Sequence, residues 1–115
     1  MESSDFENSK VYVAIEVVDY SPKSVVVKNI LSKVTGNVRI VSIDTGETIQ
    51  ERASSFETLI QVIDGKAEVV IDNISSFLEG GNFIIIPAHT LNSIHAREKF
   101  KMITTIIKSG YEEIA

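Results

Sequence analysis

Apolar residues along this chain fall in short runs that alternate with polar positions, and most runs end at residues that favour a turn. Val38, Ile40 and Ser42 alternate with Arg39, Val41 and Ile43, and Phe100, Met102, Thr104 and Ile106 share one face of a run ending at Lys108. A period of two is the spacing of a strand whose successive side chains point to opposite faces. The pattern predicts strands over Val11 to Val18, Ser24 to Val34, Val38 to Ile43, Glu47 to Arg52, Thr58 to Ile63, Lys66 to Ile71, Ile74 to Leu78, Phe83 to Ile86, Asn92 to Ala96 and Phe100 to Lys108. In Ser24 to Val34 a helical stripe of Val27, Ile30, Leu31 and Val34 competes, and the β-branched triplet Val25-Val26-Val27 decides for a strand.

The breaks between runs carry their own chemistry. Ser21-Pro22, Gly36-Asn37, Asp44-Thr45-Gly46, Asp72-Asn73, Gly80-Gly81 and Pro87 all interrupt a ladder or supply a turn. Asp64-Gly65 is a dipeptide favoured where two residues must take positive φ, so Thr58 to Ile63 and Lys66 to Ile71 are expected to form a hairpin across it. Ala53 to Glu57 is a small polar loop, and no long, well-capped helix is present. Many short strands with tight turns and no crossover helices define an all-β sandwich or barrel, the double-sheet jelly roll included.

Length and composition limit what such a fold can be. With 115 residues, 43% of them hydrophobic and 23% charged, the chain suits one domain with a single core, expected as a tail over residues 1–9 and a barrel over 10–115. A net charge of −5, with Lys and Arg scattered, opposes binding to nucleic acid or an anionic membrane, because neutralising phosphates requires a clustered basic surface. Cysteine is absent, which removes disulfides, thiolate metal sites and a cysteine nucleophile. The acidic opening MESSDFENSK and the lack of a long apolar run lead to the expectation of a cytoplasmic, unanchored protein.

Two spaced motifs narrow the fold. Gly81, five further residues, Pro87 and Ala88 precede a short strand, and Gly46 and Gly65 frame an earlier stretch of similar design. On these residues the chain resembles the small single-domain cupins, from about Val11 to Lys108, which implies a double-stranded β-helix barrel. The resemblance also implies a metal centre built from two histidines and a glutamate of the first motif and one histidine of the second. Carried onto this chain, those positions are Arg52, Ser54, Thr58 and Asn92, so all four ligands are replaced. Hydroxyl and amide groups are poor ligands for zinc, iron or nickel, and a permanent cation repels the ion. The expectation is a barrel without metal or other cofactor.

The same positions suggest what the barrel could take instead. Arg52, Ser54, Thr58 and Asn92 are expected to converge as one guanidinium and several neutral hydrogen-bonding groups, suited to a carboxylate or a polar neutral molecule. The alternative is that Arg52 pairs with Glu51 or Glu57 while the others satisfy one another. His89 is expected near the barrel mouth as a further binding residue, and alternation from an inward Asn92 sends Ile94 inward and His95 outward. Glu57 is the nearby acid able to act as a general base, Lys99 and Lys101 read as a solvated strand face, and the Phe100 to Ile106 set reads as core. Tyr12, Tyr20 and Tyr111 are expected at edges or an interface.

Three functions stay open at this point: a metal-free binding module, an enzyme, or a structural or regulatory subunit with a filled barrel. The enzyme would be a metal-independent isomerase or lyase, or a metal enzyme with a rebuilt site. The resemblance further implies a homodimer, with Val11 to Val18 as the candidate exchanged strand.

Overall fold

The computed structural model describes residues 4–51 and 54–108. Eight strands form two antiparallel sheets: β1 (Val25–Lys33), β2 (Gly36–Ile43), β3 (Thr48–Glu51), β4 (Thr58–Ile71), β5 (Ile74–Glu79), β6 (Phe83–Ile86), β7 (Asn92–His95) and β8 (Phe100–Ile107). The first half of β4 lies between β8 and β6, with β2 and then β1 continuing beyond β8. Its second half lies between β5 and β7, with β3 beyond β7. One 14-residue strand therefore belongs to both sheets and makes them a single curled sandwich, the jelly-roll barrel predicted from the alternation.

The expected hairpin across Asp64-Gly65 does not form. Val62 pairs with Met102 and Asp64 with Lys101, so Ile63 is an inserted residue and the chain runs straight on through a β-bulge. The insertion reverses the parity of the strand: Ile60 and Val62 face the core before it, Ala67 and Val69 after it, each at most 1% exposed. Gly65 sits at φ +77, and a β-carbon there would collide with the Lys99 carbonyl oxygen and come within 2.9 Å of Phe100 Cα. A hairpin turn and a bulge both call for positive φ, which is why the dipeptide alone could not separate them. The two-residue turn is instead Asp72-Asn73, at φ 50 and 65, joining β4 to β5 where Ile71 faces Ile74.

The predicted strand over Val11 to Val18 is also absent. That segment contains one 3-10 turn, Ala14–Glu16, and lies across the outer face of the first sheet instead of extending its edge. Without a ladder its carbonyls need other donors, and side chains of the sheet supply them. Lys101 Nζ donates to the Ile15 carbonyl at 2.6 Å, Lys28 Nζ to Val17 at 2.8 Å and Ser42 Oγ to Asp19 at 2.8 Å. Lys101 is thus buried, contrary to the solvated strand face expected for it together with Lys99. From Ser4 onward the segment expected as a tail is bonded to β1, with Asp5 and Asn29 exchanging two hydrogen bonds.

Tyr20 closes this outer layer. Its hydroxyl donates to Asp64 Oδ2 at 2.7 Å, and the Nζ atoms of Lys99 and Lys101 lie 4.8 and 4.9 Å from its ring centroid. Burial, then the hydrogen bond and charge of Asp64, hold the phenol above its ordinary range. Tyr12 packs edge-on against Phe6 within the same segment, and Tyr111 lies outside the described residues.

Between the sheets, Ile43, Ile60, Val62, Val69, Ile94 and Phe100 are almost wholly buried. Full burial of such a side chain stabilises by about 1.5–3 kcal/mol. On the outer face of the second sheet the carboxylate of Glu68, 8% exposed, accepts from Arg97 Nε at 2.6 Å and Ser75 Oγ at 2.7 Å. Among the described residues no helix is long and apolar enough to cross a membrane.

Two outcomes follow from this architecture. Gly65→Ala combines a disfavoured φ with a backbone collision and should cost about 2–3 kcal/mol in urea denaturation. Gly46→Ala, at φ +89 but with nothing within 4 Å of the added carbon, should cost only about 1 kcal/mol. Equal losses would mean that Gly65 is not a packing constraint. The bond from Arg97 and then that from Ser75 lower the Glu68 pKa below the ordinary 4.5 against the opposing effect of burial. Its contribution should therefore be complete above about pH 4.5 and vanish as pH falls through the folded-state value. The stability difference between wild type and Glu68→Gln, followed by denaturation across pH, should shrink on acidification and stay constant toward neutrality.

Candidate functional site

The barrel interior is apolar at one end and mixed at the other, and the strand registers explain the gradient. Along the inner face of the first sheet, Val41 and Met102 face each other in the packed region. One row further along, Arg39 of β2 faces Thr104 of β8, which faces Ile60 of β4. Beyond that, Asn37, Ile106, Thr58 and Ile86 form the next row. From the second sheet, β7 contributes Asn92 and Ile94, while the loop before β4 contributes Ser54 and Phe56.

Apart from Val41 and Asn37, these residues line a cavity of about 110 Å³. Its polar lining is Arg39, Ser54, Thr58, Asn92 and Thr104, set against apolar walls that include Phe56, Ile60, Ile94 and Met102. The space is well below the roughly 300–1,000 Å³ typical of pockets for drug-sized ligands, so an occupant is small or enters by one end.

The polar groups differ in how far they are committed. Ser54 Oγ accepts the Phe56 N–H at 3.0 Å, and the Ser54 carbonyl accepts the N–H of His89, tying the loop before β4 to the turn after β6. Asn92 Nδ2 donates to the Thr90 carbonyl at 3.3 Å, which orients the amide and leaves Oδ1 buried without a hydrogen-bond partner among the described residues. Asn37 Oδ1 is in the same condition. An acceptor left in that state costs about 1–3 kcal/mol. Arg39 is exposed and has no ion pair or hydrogen bond among the described residues.

Of the five residues singled out from the sequence, Ser54, Thr58 and Asn92 line this one cavity. Arg52 lies outside the described residues. His89 is exposed in the turn at φ 61 and is not among the cavity-lining residues. Glu57 is also exposed and borders a cleft outside the barrel with Leu59 and Ile85. As alternation required, Ile94 faces inward and His95 outward, where its ring nitrogens contact Thr48 Oγ1 at 3.2 Å and Ser93 Oγ at 2.8 Å.

Arg39 and Thr104 were missed as site residues. Both signals were present, since Arg39 alternates in phase with Val41 and Ile43, and Thr104 with Phe100 and Met102. The set from Phe100 to Ile106 is core at its first two members and cavity wall from Met102 onward.

The lining residues do not suit a transition metal. The cavity's polar groups are hydroxyls, an amide and a guanidinium, none of which is a good ligand for such an ion. Among the described residues no three of His, Cys, Asp and Glu come together.

No protein-family model matches the sequence, and no curated protein matches it. Solved structures do. A cupin 2 conserved barrel domain protein from Leptotrichia buccalis superposes with a TM-score of 0.87 at 23% identity, over 97% of this chain and 55% of that one. A conserved protein of unknown function from Streptococcus pyogenes gives 0.86 at 22% identity, over 90% and 91% of the two chains. A cupin superfamily protein from Desulfitobacterium hafniense gives 0.83 at 17% identity, over 95% and 99%. With the shared strand, the two sheets and the cavity between them, these likenesses establish that the chain has the cupin fold.

Proposed function

We propose that the barrel is a binding site for a small polar or anionic molecule and works without a metal ion. The observation that carries this reading is Arg39, a cation with no partner among the described residues, at a cavity otherwise lined by neutral hydrogen-bonding and apolar groups. A guanidinium in that position offers paired N–H donors to a carboxylate, and Thr58 and Thr104 can donate or accept beside it. The space between the sheets counts against a barrel filled by its own side chains. The described lining contains no carboxylate or imidazole to move a proton, which favours binding over an isomerase or lyase reaction. The absence of cysteine suits a reducing compartment, and we place the protein in the cytoplasm.

We also propose a homodimer, formed through the outer face of the first sheet. Phe83, Ile85 and Ile107 stand on that face with 64, 52 and 74% of their surface exposed. A largely apolar face, with Glu57 beside it, can pair with its own copy about a two-fold axis. Exchange of Val11 to Val18 is not needed for this pairing, because that segment is bonded to its own chain through Lys28 and Lys101.

Metal content by inductively coupled plasma mass spectrometry, on protein purified without chelator, should be well below one transition metal per chain. The same metal-poor protein should melt at higher temperature in acetate than in chloride of equal ionic strength. A stoichiometric metal, or no acetate effect, would sink the reading. Light scattering should give twice 12.7 kDa at micromolar concentration, and Ile85→Lys should shift the mass toward the monomer without changing the circular dichroism spectrum.

A further inference from the structure

We infer that a serine–histidine pair on the outer face of the second sheet hydrolyses small neutral or cationic esters, at a site separate from the barrel cavity. Ser93 and His95 stand on β7, and Ser93 Oγ lies 2.8 Å from His95 Nε2. On its other side the imidazole meets β3, where Thr48 Oγ1 lies 3.2 Å from Nδ1. Pairing of Thr48 with His95 and of Gln50 with Ser93 puts these four side chains on one face. Ser93 and His95 are half-buried, so the pair is partly shielded from water and still reachable.

Ser93 stands between its base and a place for a substrate. On the side of Ser93 away from His95, Leu91 and Asp72 border a concavity of about 250 Å³ that Gln50, Val70 and Ser93 also line. That space is below the range of pockets for drug-sized ligands and admits an ester of a few carbon atoms. Asp72 is the one charged group among the described lining residues, and it has no ion pair among the described residues. An ester bearing an ammonium group is therefore drawn in and one bearing a carboxylate is repelled, by a modest factor because Asp72 is exposed.

With its ring proton on Nδ1, donated to Thr48, His95 leaves Nε2 to accept from the Ser93 hydroxyl. Ser93 Oγ forms a bond to the ester carbonyl carbon as its proton passes to Nε2. The carbonyl oxygen becomes an oxyanion, and Gln50, opposite Ser93 in the ladder, carries amide N–H donors for it. Collapse breaks the bond to the leaving oxygen, which takes the proton from Nε2, and the acyl group stays on Ser93. Water then attacks that acyl group, giving its proton to Nε2, and the acid departs as Oγ recovers a proton from the ring. The imidazolium formed at each step faces Glu68 across the ladder, and Arg97 on the same carboxylate offsets part of its charge. A single exposed amide is a weaker oxyanion donor than a preorganised set, so turnover is slow.

The test uses the full chain and p-nitrophenyl acetate, whose phenolate leaves more readily than the Ser93 oxygen, so the acetylated protein should accumulate and appear as a burst of product. Peptide mapping after an acid quench should find the acetyl group on Ser93. Ser93→Ala and His95→Gln should each lower the rate about a hundredfold. Thr48 is a positioning residue: Thr48→Val should lower the rate by less, and Thr48→Ser should restore it, because only a hydroxyl holds the ring. Acetylcholine should be hydrolysed faster than monoethyl succinate. The mapping on wild type stands even if a variant fails to fold. Acetyl groups on lysines alone, or a rate unchanged in both Ser93→Ala and His95→Gln, would overturn the activity. Equal rates for acetylcholine and monoethyl succinate would overturn the substrate class.

Discussion

Everything in this barrel depends on one strand crossing from one sheet to the other without ending. β4 contributes ladder partners to both sheets, so its backbone must turn through the corner while keeping its hydrogen bonds. An uninterrupted strand would carry the same parity throughout and present Glu68 to the core in place of Ala67 and Val69. The inserted residue at Ile63 resets the parity, and Gly65 permits the close approach to Lys99 and Phe100 that the corner requires. The side chains that build the cavity from β4, Thr58 and Ile60, lie on the near side of this bulge, and the core of the second sheet lies on the far side.

The same corner anchors the outer layer. Asp64, adjacent to the bulge, points to the outside and accepts the Tyr20 hydroxyl, while Lys101, its partner across the ladder, reaches the Ile15 carbonyl. A buried lysine is tolerated here because its ammonium group has a carbonyl and an aromatic face close by. The N-terminal segment is thus held by side chains rising from the sheet, and the exposed apolar face that remains lies toward Phe83, Ile85 and Ile107.

At the other end of the barrel the polar side chains gather around the cavity. Ser54, Thr58 and Asn92 share the cavity with Arg39 and Thr104, giving a guanidinium at the rim, hydroxyls along the first sheet and one unsatisfied amide oxygen from the second. Such a set offers no group of the kind that usually ligates a transition metal. The cavity lies between the two sheets, so its shape depends on the sandwich spacing set by β4.

Period-two alternation was enough to show an all-β barrel, because a strand with one buried face writes its burial into its own residues. From Ser24 to Lys108 it located most strands within a few residues, and it set Asn92 and Ile94 against His95. Local chemistry could not decide what Asp64-Gly65 does, since turn and bulge share the same φ requirement and only the partners, β8 on one side of the corner and β5 and β7 beyond it, distinguish them. Nor could it show that Val11 to Val18 lies over a sheet face, or that Lys101 is buried beneath it, because both depend on contacts between segments far apart in the chain. Arg39 was visible as a polar residue in phase with a core face. That it stands at a cavity wall opposite Asn92 was decided by the registers that bring β2, β8, β4 and β7 around one space, and registers arise only when strands pair.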